Sequence, residues 1–348
     1  MEKLGVGKFI KFILALLIGS IIFSLTVLWA VNFLNSPPYL YEEEDLIFTI
    51  EKGATLNSIS NDLTENRLIR YPWPMILYSR LMGTETDFKV GVYRISHKKT
   101  LTEIHDYLVG GQQQLFKITI PEGWTSRQIS DYLDGLGITD REGFINAVGS
   151  SALIEEFDIP ADNLEGFLYP DTYLFQKGFP GEKVVRVMVL NFFSRLMEIY
   201  PEYKNLDKTE LLDKIILASI VEREYRDPDE APLMAGVFYN RLSYSTPIPL
   251  GSCATIVYII ADIQNKPHPD IITFGDLEIL SPYNTYINSG LPPGPISNPG
   301  GTALKASFYP EKSDYLYFLL KNPESGQHVF TTNLSEHNAA YNLYIKKN

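Results

Sequence analysis

Glu222 stands near the end of DKTELLDKIILASIVEREY (207–225), the stretch of this chain best suited to moving a proton. Read as a helix at about 100° per residue, Leu211, Ile215, Ala218 and Glu222 fall within about 40° of one line, so the glutamate prolongs an apolar stripe. Glu224 points about 200° away, and side chains at i and i+2 do not face each other. The two glutamates therefore cannot act as a pair, and Glu222 is the candidate. A carboxyl partly withdrawn from water holds its proton more tightly, which is what a general acid needs near neutral pH. The competing reading is an amphipathic helix whose last turn becomes polar, with Glu222 paired to Arg223 or Arg241.

The rest of the chain must position that carboxyl. Asp207 or Thr209 caps the helix, and a second helix carrying Asn240 follows it. At 348 residues the chain is long enough for two or three domains, and a net charge of −12 argues against nucleic acid as a partner. Cys253 is the only cysteine, so no internal disulfide forms. His97, His105, His268, His328 and His337 show no ligand spacing, and no metal or other cofactor is expected. From Phe12 to Leu34 the sequence runs 23 residues without a charge, enough for a transmembrane helix. Lys3, Lys8 and Lys11 precede it, and Glu42, Glu43, Glu44 and Asp45 follow. The charge asymmetry predicts a single pass of the cytoplasmic (inner) membrane, with residues 1–11 cytoplasmic and the bulk outside. A cleaved signal peptide is the weaker alternative, because the apolar run is long and no A-x-A site follows. Residues 35–45, with Pro37 and Pro38, read as a stiff, solvated stalk.

Beyond the stalk, FTIEKGATLNSISNDL (48–63) and ITIPEGWTSRQISDYL (118–133) align without gaps and share seven of sixteen positions. Each reads as strand, turn at Gly53 or Gly123, and helix capped by Thr55 or Thr125. Phe88–Ile95 alternates like a strand, and Leu101–Leu108 is periodic like a helix capped by Thr100. The first unit is thus a small β-α-α-β module. It resembles a divergent LysM module over 48–96, which implies binding of N-acetylated glycan; a plain α+β spacer is the other reading. The fold class expected is α+β: a transmembrane helix (12–34), a LysM-like module (46–115) and a mixed α+β catalytic domain (116–348).

Five blocks carry a second resemblance: LEGFLYPDTYLF (164–175), LASIVEREY (217–225), VFYNRL (237–242), SPYNTYINSGLPPGPISNPG (281–300) and HVFTTNLSEHN (328–338). In this order they resemble the YceG-like (MltG) family of endolytic murein transglycosylases, over roughly 45–345. The resemblance implies a lytic transglycosylase that cuts peptidoglycan glycan strands between N-acetylmuramic acid and N-acetylglucosamine, with Glu222 as catalytic acid. One block departs: GSCATIVY (251–258) puts Gly251, Cys253 and Ala254 where the family has Gln, Asp and Pro before a strand. In such an enzyme the muramyl C6 hydroxyl attacks its own anomeric carbon, so one glutamate serves as acid and then base and leaves a 1,6-anhydro end.

Sugar binding needs polar groups and aromatic faces, and Tyr283, Asn284, Thr285 and Tyr286 supply both ahead of a loop stiffened by Pro292, Pro293, Pro295 and Pro299. Asn240 could position substrate or acid, or be an ordinary polar residue of a helix face. Glu165 and Asp171 read as caps of the LEGF turn or as catalytic groups. His337 and Asn338 follow Ser335, a plausible cap, and read equally as cap chemistry or substrate contacts. Two rivals stay open: a noncatalytic glycan-binding or assembly scaffold, and a muramidase using water with Glu165 or Asp171 as second carboxylate. Expected partners are peptidoglycan strands, the membrane and, by resemblance, peptidoglycan synthases.

Overall fold

A computed structural model describes residues 3–38, 45–51, 53–111 and 115–346, and divides into two compact units, Met1–Leu115 and Phe116–Asn348. Residues 39–44 of the expected stalk, including Glu42, Glu43 and Glu44, lie outside the described residues.

The first unit opens with α1 (Lys3–Asn35). Its apolar stretch Phe9–Asn35 has the length and composition to cross a membrane, and most of its side chains are exposed. There follow β1 (Leu46–Ile50), α2 (Leu56–Glu65), α3 (Pro72–Met82), β2 (Gly91–Ile95) and α4 (Leu101–Gly110). Strands β1 and β2 pair antiparallel, Phe48 opposite Tyr93. Alternation turns Phe48, Ile50, Tyr93 and Ile95 inward onto Ile59, Leu63, Ile104 and Leu108 of the helices. The strand expected over 88–95 begins only at Gly91.

The second unit contains β3 (Phe116–Thr119), α5 (Ser126–Gly135), α6 (Arg141–Val148), α7 (Ser151–Glu156), β4 (Thr172–Phe175) and α8 (Gly181–Ile199). Then come α9 (Lys208–Glu224), α10 (Ala231–Leu242), α11 (Cys253–Tyr258), α12 (Gly301–Phe308), β5 (Tyr317–Asn322), β6 (Gln327–Thr331) and α13 (Leu334–Tyr344). Its strands form two antiparallel pairs, β3 with β4 and β5 with β6. The internal repeat is structural: Thr55 and Thr125 both cap helices through capping boxes, after Gly53 (φ +88°) and Gly123 (φ +73°).

Three sequence readings are corrected. The half of α9 from Ile215 to Val221 is buried on every side, so Glu222 ends a core helix and not an amphipathic one. Ile215 and Ala218 pack into one core and Ile216, Leu217, Ile220 and Val221 into another, which an all-round apolar helix permits. Residues 253–258 are helical, so no strand follows the GSCAT segment as the family pattern implied, because Ile256, Ile259 and Ile260 at helical spacing bury one face. Asn333, not Ser335, caps α13: its side chain accepts from Glu336 N–H at 3.0 Å.

Candidate active site

Asp207 caps α9 through the Glu210 N–H, and the helix ends where Tyr225 turns to extended backbone. Glu222, one turn from that end, is half-buried. Its Oε2 accepts the Gly300 N–H at 2.9 Å and its Oε1 the Tyr225 hydroxyl at 3.3 Å. Gly123 lies against the Glu222 stem; a β-carbon there would meet Cγ at 3.3 Å, and a φ of +73° suits glycine. Burial raises the Glu222 carboxyl to about 7; the Gly300 N–H opposes this, and negative charge on Glu122 adds to it. Neither arginine of the competing reading holds Glu222. Arg223 donates to Gly123 O at 3.0 Å, and Arg241 donates to the carbonyls of Pro249, Leu250 and Leu316.

Two loops, 121–125 and 295–300, meet at Glu222, and one side chain ties both to the 164–168 segment. Asn298 accepts the Gly166 and Leu168 N–H groups, both at 2.9 Å, and donates to Trp124 O and to Glu165 at 2.7 Å. Its backbone bonds the 121–125 turn twice, to Trp124 O and from Gly123 N. The 295–300 loop is also fixed to α9 itself, since Ser219 Oγ accepts the Ile296 N–H and Ser297 Oγ donates to Ser219 O, both at 3.0 Å. Ser219 lies one turn before Glu222, so the loop delivering the Gly300 N–H is anchored to the helix that carries the acid. Gly166, at φ +86°, lets Pro295 come so close that a β-carbon would sit 2.5 Å from its ring.

Glu165 is buried and caps α5: both carboxylate oxygens accept the Ser126 N–H at 3.0 Å. Burial pushes its carboxyl up to about 8. Asp171 is instead held below the usual range: burial would raise it, but hydrogen bonds from Asn191, Thr172 and Arg195 prevail.

Other expected residues gather elsewhere. Thr285 accepts the Ser252 N–H at 3.0 Å, and Ser252 Oγ donates to Glu224, the glutamate on the opposite side of α9. Asn284 is buried, donating to the Leu277 and Ile279 carbonyls. Tyr283 and Tyr286 are half-buried, Tyr286 OH lying 3.0 Å from Cys253 Sγ. The GSCAT segment is thus pinned by Thr285 and Glu224 despite its departure. Asn240 donates to Ser313 O and Tyr315 O at 2.7 and 2.9 Å, fixing the loop before β5. The His337 ring lies 5.2 Å from that of Tyr317, tilted by 31°, with Nδ1 unpartnered among the described residues, and Asn338 is exposed. His328 Nδ1 meets Glu230 at 2.8 Å. A cavity of about 250 Å³ opens on the Arg223 side, with Thr125, Arg127, Asp262 and His268 in its walls; Glu222 does not line it.

Sequence reasoning missed Ser219, Asn298, Gly300 and Glu122. A lone serine inside LASIV and the asparagine of SNPG were visible signals, since a polar residue in an apolar run must find a partner. Glu122 shows only once the 121–125 turn folds onto Gly300.

The model of the YceG-like family matches residues 48–342. An endolytic murein transglycosylase of Bacillus subtilis is 32% identical over 317 residues, 85% of this chain and 84% of that protein. One from Streptococcus pneumoniae strain D39 is 29% identical over 330 residues, 86% of this chain and 58% of that protein. A crystal structure described as a yceG-like protein of Listeria monocytogenes is 30% identical, covers 86% of this chain and 99% of its own, and superposes with a TM-score of 0.57.

Replacing Asn298 with alanine strands the buried Gly166 and Leu168 N–H groups and takes one donor from the buried Glu165, while Trp124 O keeps the Asn298 backbone N–H. It should cost about 2–4 kcal/mol, lowering Tm by roughly 5–10 °C in thermal unfolding of the solubilised chain. An unchanged Tm would mean that the loops hold themselves.

Proposed function

From the chain's membership of the YceG-like family, we propose that it is a membrane-anchored lytic transglycosylase that cuts peptidoglycan strands internally, with Glu222 as its acid and base. The observation that carries the reading is a half-buried carboxyl, raised to about 7 by burial and held by neutral donors instead of an arginine. Near neutral pH such a group is protonated often enough to donate and ionised readily enough to accept.

In the proposed reaction Glu222 gives its proton to the glycosidic oxygen as the bond from the muramyl anomeric carbon breaks. The C6 hydroxyl of the same sugar bonds that carbon and returns its proton to Glu222, leaving a 1,6-anhydro end and a free N-acetylglucosamine hydroxyl. Gly300 N–H and Tyr225 O–H receive the charge on Glu222 between the two transfers. The half-buried Tyr283 and Tyr286 offer ring faces to sugar, while the internal bonds of Asn284, Thr285 and Asn240 suit shaping the walls better than touching substrate.

The water-using alternative needs a second ionised carboxylate. Glu165 is buried with its proton favoured, and Asp171 is committed to Arg195 and Asn191, which argues against both. Glu122 is the carboxylate that acts on Glu222, and we assign it the role of holding the proton there. The noncatalytic scaffold has no use for an acid tuned in this way.

Residues 12–34 serve as the anchor, with 1–11 cytoplasmic, 35–45 a stalk, 46–115 a glycan-binding LysM-like module and 116–348 the catalytic domain. The apolar α1 and the β-α-α-β order of the module support this division.

Digestion of purified peptidoglycan by wild type should release anhydro-ended fragments by mass spectrometry, and Glu222→Gln should lose at least about 10²-fold in rate while keeping the wild-type Tm. Fragments heavier by one water would point to the hydrolase, and equal product from both proteins would end the role of Glu222.

Glu122→Gln gives the pH test. Activity requiring the protonated acid falls as pH rises through the Glu222 value near 7. Removing the neighbouring negative charge lowers that value, so the fall should move to lower pH with cleavage retained. Loss of cleavage at every pH would make Glu122 a reacting group.

A further inference from the structure

Helix α3 turns Met75 and Ser79 into the core of the first unit, yet leaves Trp73, Leu77 and Leu81 at 52%, 49% and 75% exposure. Spaced at i, i+4 and i+8, these three lie on one face as a continuous apolar stripe. A soluble spacer has no use for such a stripe beside a tryptophan. The stripe does not stand alone: it forms one wall of an apolar groove of about 330 Å³ whose other wall includes Val31 and Leu34 of α1.

The position of that groove is fixed. Thr102 N–H, at the start of α4, donates to Asn35 Oδ1 at 3.0 Å, and Arg70 donates to Pro37 O at 2.9 Å while its guanidinium lies 4.5 Å from the Phe33 ring. These contacts hold the module against the last turn of α1. Whatever surrounds Val31 and Leu34 therefore also reaches Trp73, Leu77 and Leu81. If α1 crosses the bilayer, that surrounding is lipid, and tryptophan is the residue that favours the interfacial depth. Arg67 and Arg70 border a polar pocket of about 210 Å³ with Pro38 and Tyr71, the chemistry expected at the depth of lipid phosphates. Arg80, on the edge of the stripe and 3.7 Å from Glu85, suits the same layer.

We propose that α3 is an interfacial membrane helix, its Trp73, Leu77 and Leu81 seated among the acyl chains of the leaflet through which α1 emerges. The proposal rests on the reading of α1 as a membrane anchor. It adds a second attachment, which lays the first unit on the bilayer surface instead of letting it stand off on the stalk.

The test uses the full chain, one copy per lipid nanodisc, in two forms: Trp29→Phe with Trp124→Phe, which leaves Trp73, and Trp73→Phe with Trp124→Phe, which leaves Trp29. Lipids brominated on their acyl chains should quench Trp73 to an extent comparable with Trp29, and aqueous iodide should quench it little. Leu77→Glu with Leu81→Glu, both at exposed positions, should red-shift Trp73 emission and relieve its quenching by lipid. Trp73 quenched by iodide and not by lipid, while Trp29 is quenched by lipid, overturns the proposal alone. Trp73 shielded from both overturns it too, since protein would then cover the stripe. Trp29 untouched by lipid instead defeats the anchor reading on which the proposal rests.

Discussion

Burial of the Glu222 carboxyl where α9 leaves the core governs the arrangement around it. Removing water from one side of a carboxylate destabilises its charge, and the Gly300 N–H and Tyr225 hydroxyl restore only part of what solvent supplied. An arginine in the same place would have driven the group to full ionisation. Arg223, next in sequence, is instead spent on the Gly123 carbonyl, so its guanidinium stiffens the turn that packs on the acid.

Keeping that carboxyl dry and fixed requires loops distant in sequence to close over one helix end. Asn298 does this by bonding backbone of the 121–125 and 164–168 segments at once, while Ser219 ties the loop that carries Asn298 to α9. Glu165 belongs to the same network as a cap of α5. Its burial makes sense as a structural polar group whose donors are supplied, which is how buried polar side chains are normally tolerated.

The elements of the site were legible where local chemistry sets them. Asp207 before α9, Thr55 and Thr125 before their helices, and the divergence of Glu222 from Glu224 all follow from caps and helical spacing. What was not legible depends on long-range closure. The apolar stripe of α9 proved to be burial on every side, because two cores flank the helix and a single sequence does not count its neighbours. Ser335 read as the cap of α13, yet Asn333, two residues earlier, takes that role. The YNTY block reads as sugar-facing by composition, yet Asn284 and Thr285 turn inward to bind Ile279, Leu277 and Ser252. Glu122 carries no motif; its influence on Glu222 exists only because the turn around Gly123 lies beside Gly300.

The most direct measurement is the titration of Glu222 itself, followed through the carboxylic acid C=O band in the infrared difference between wild type and Glu222→Gln. Half of that band should vanish near pH 7. Its disappearance near the ordinary glutamate value of 4.5 would mean that water reaches the carboxyl freely, and no burial-tuned acid would exist.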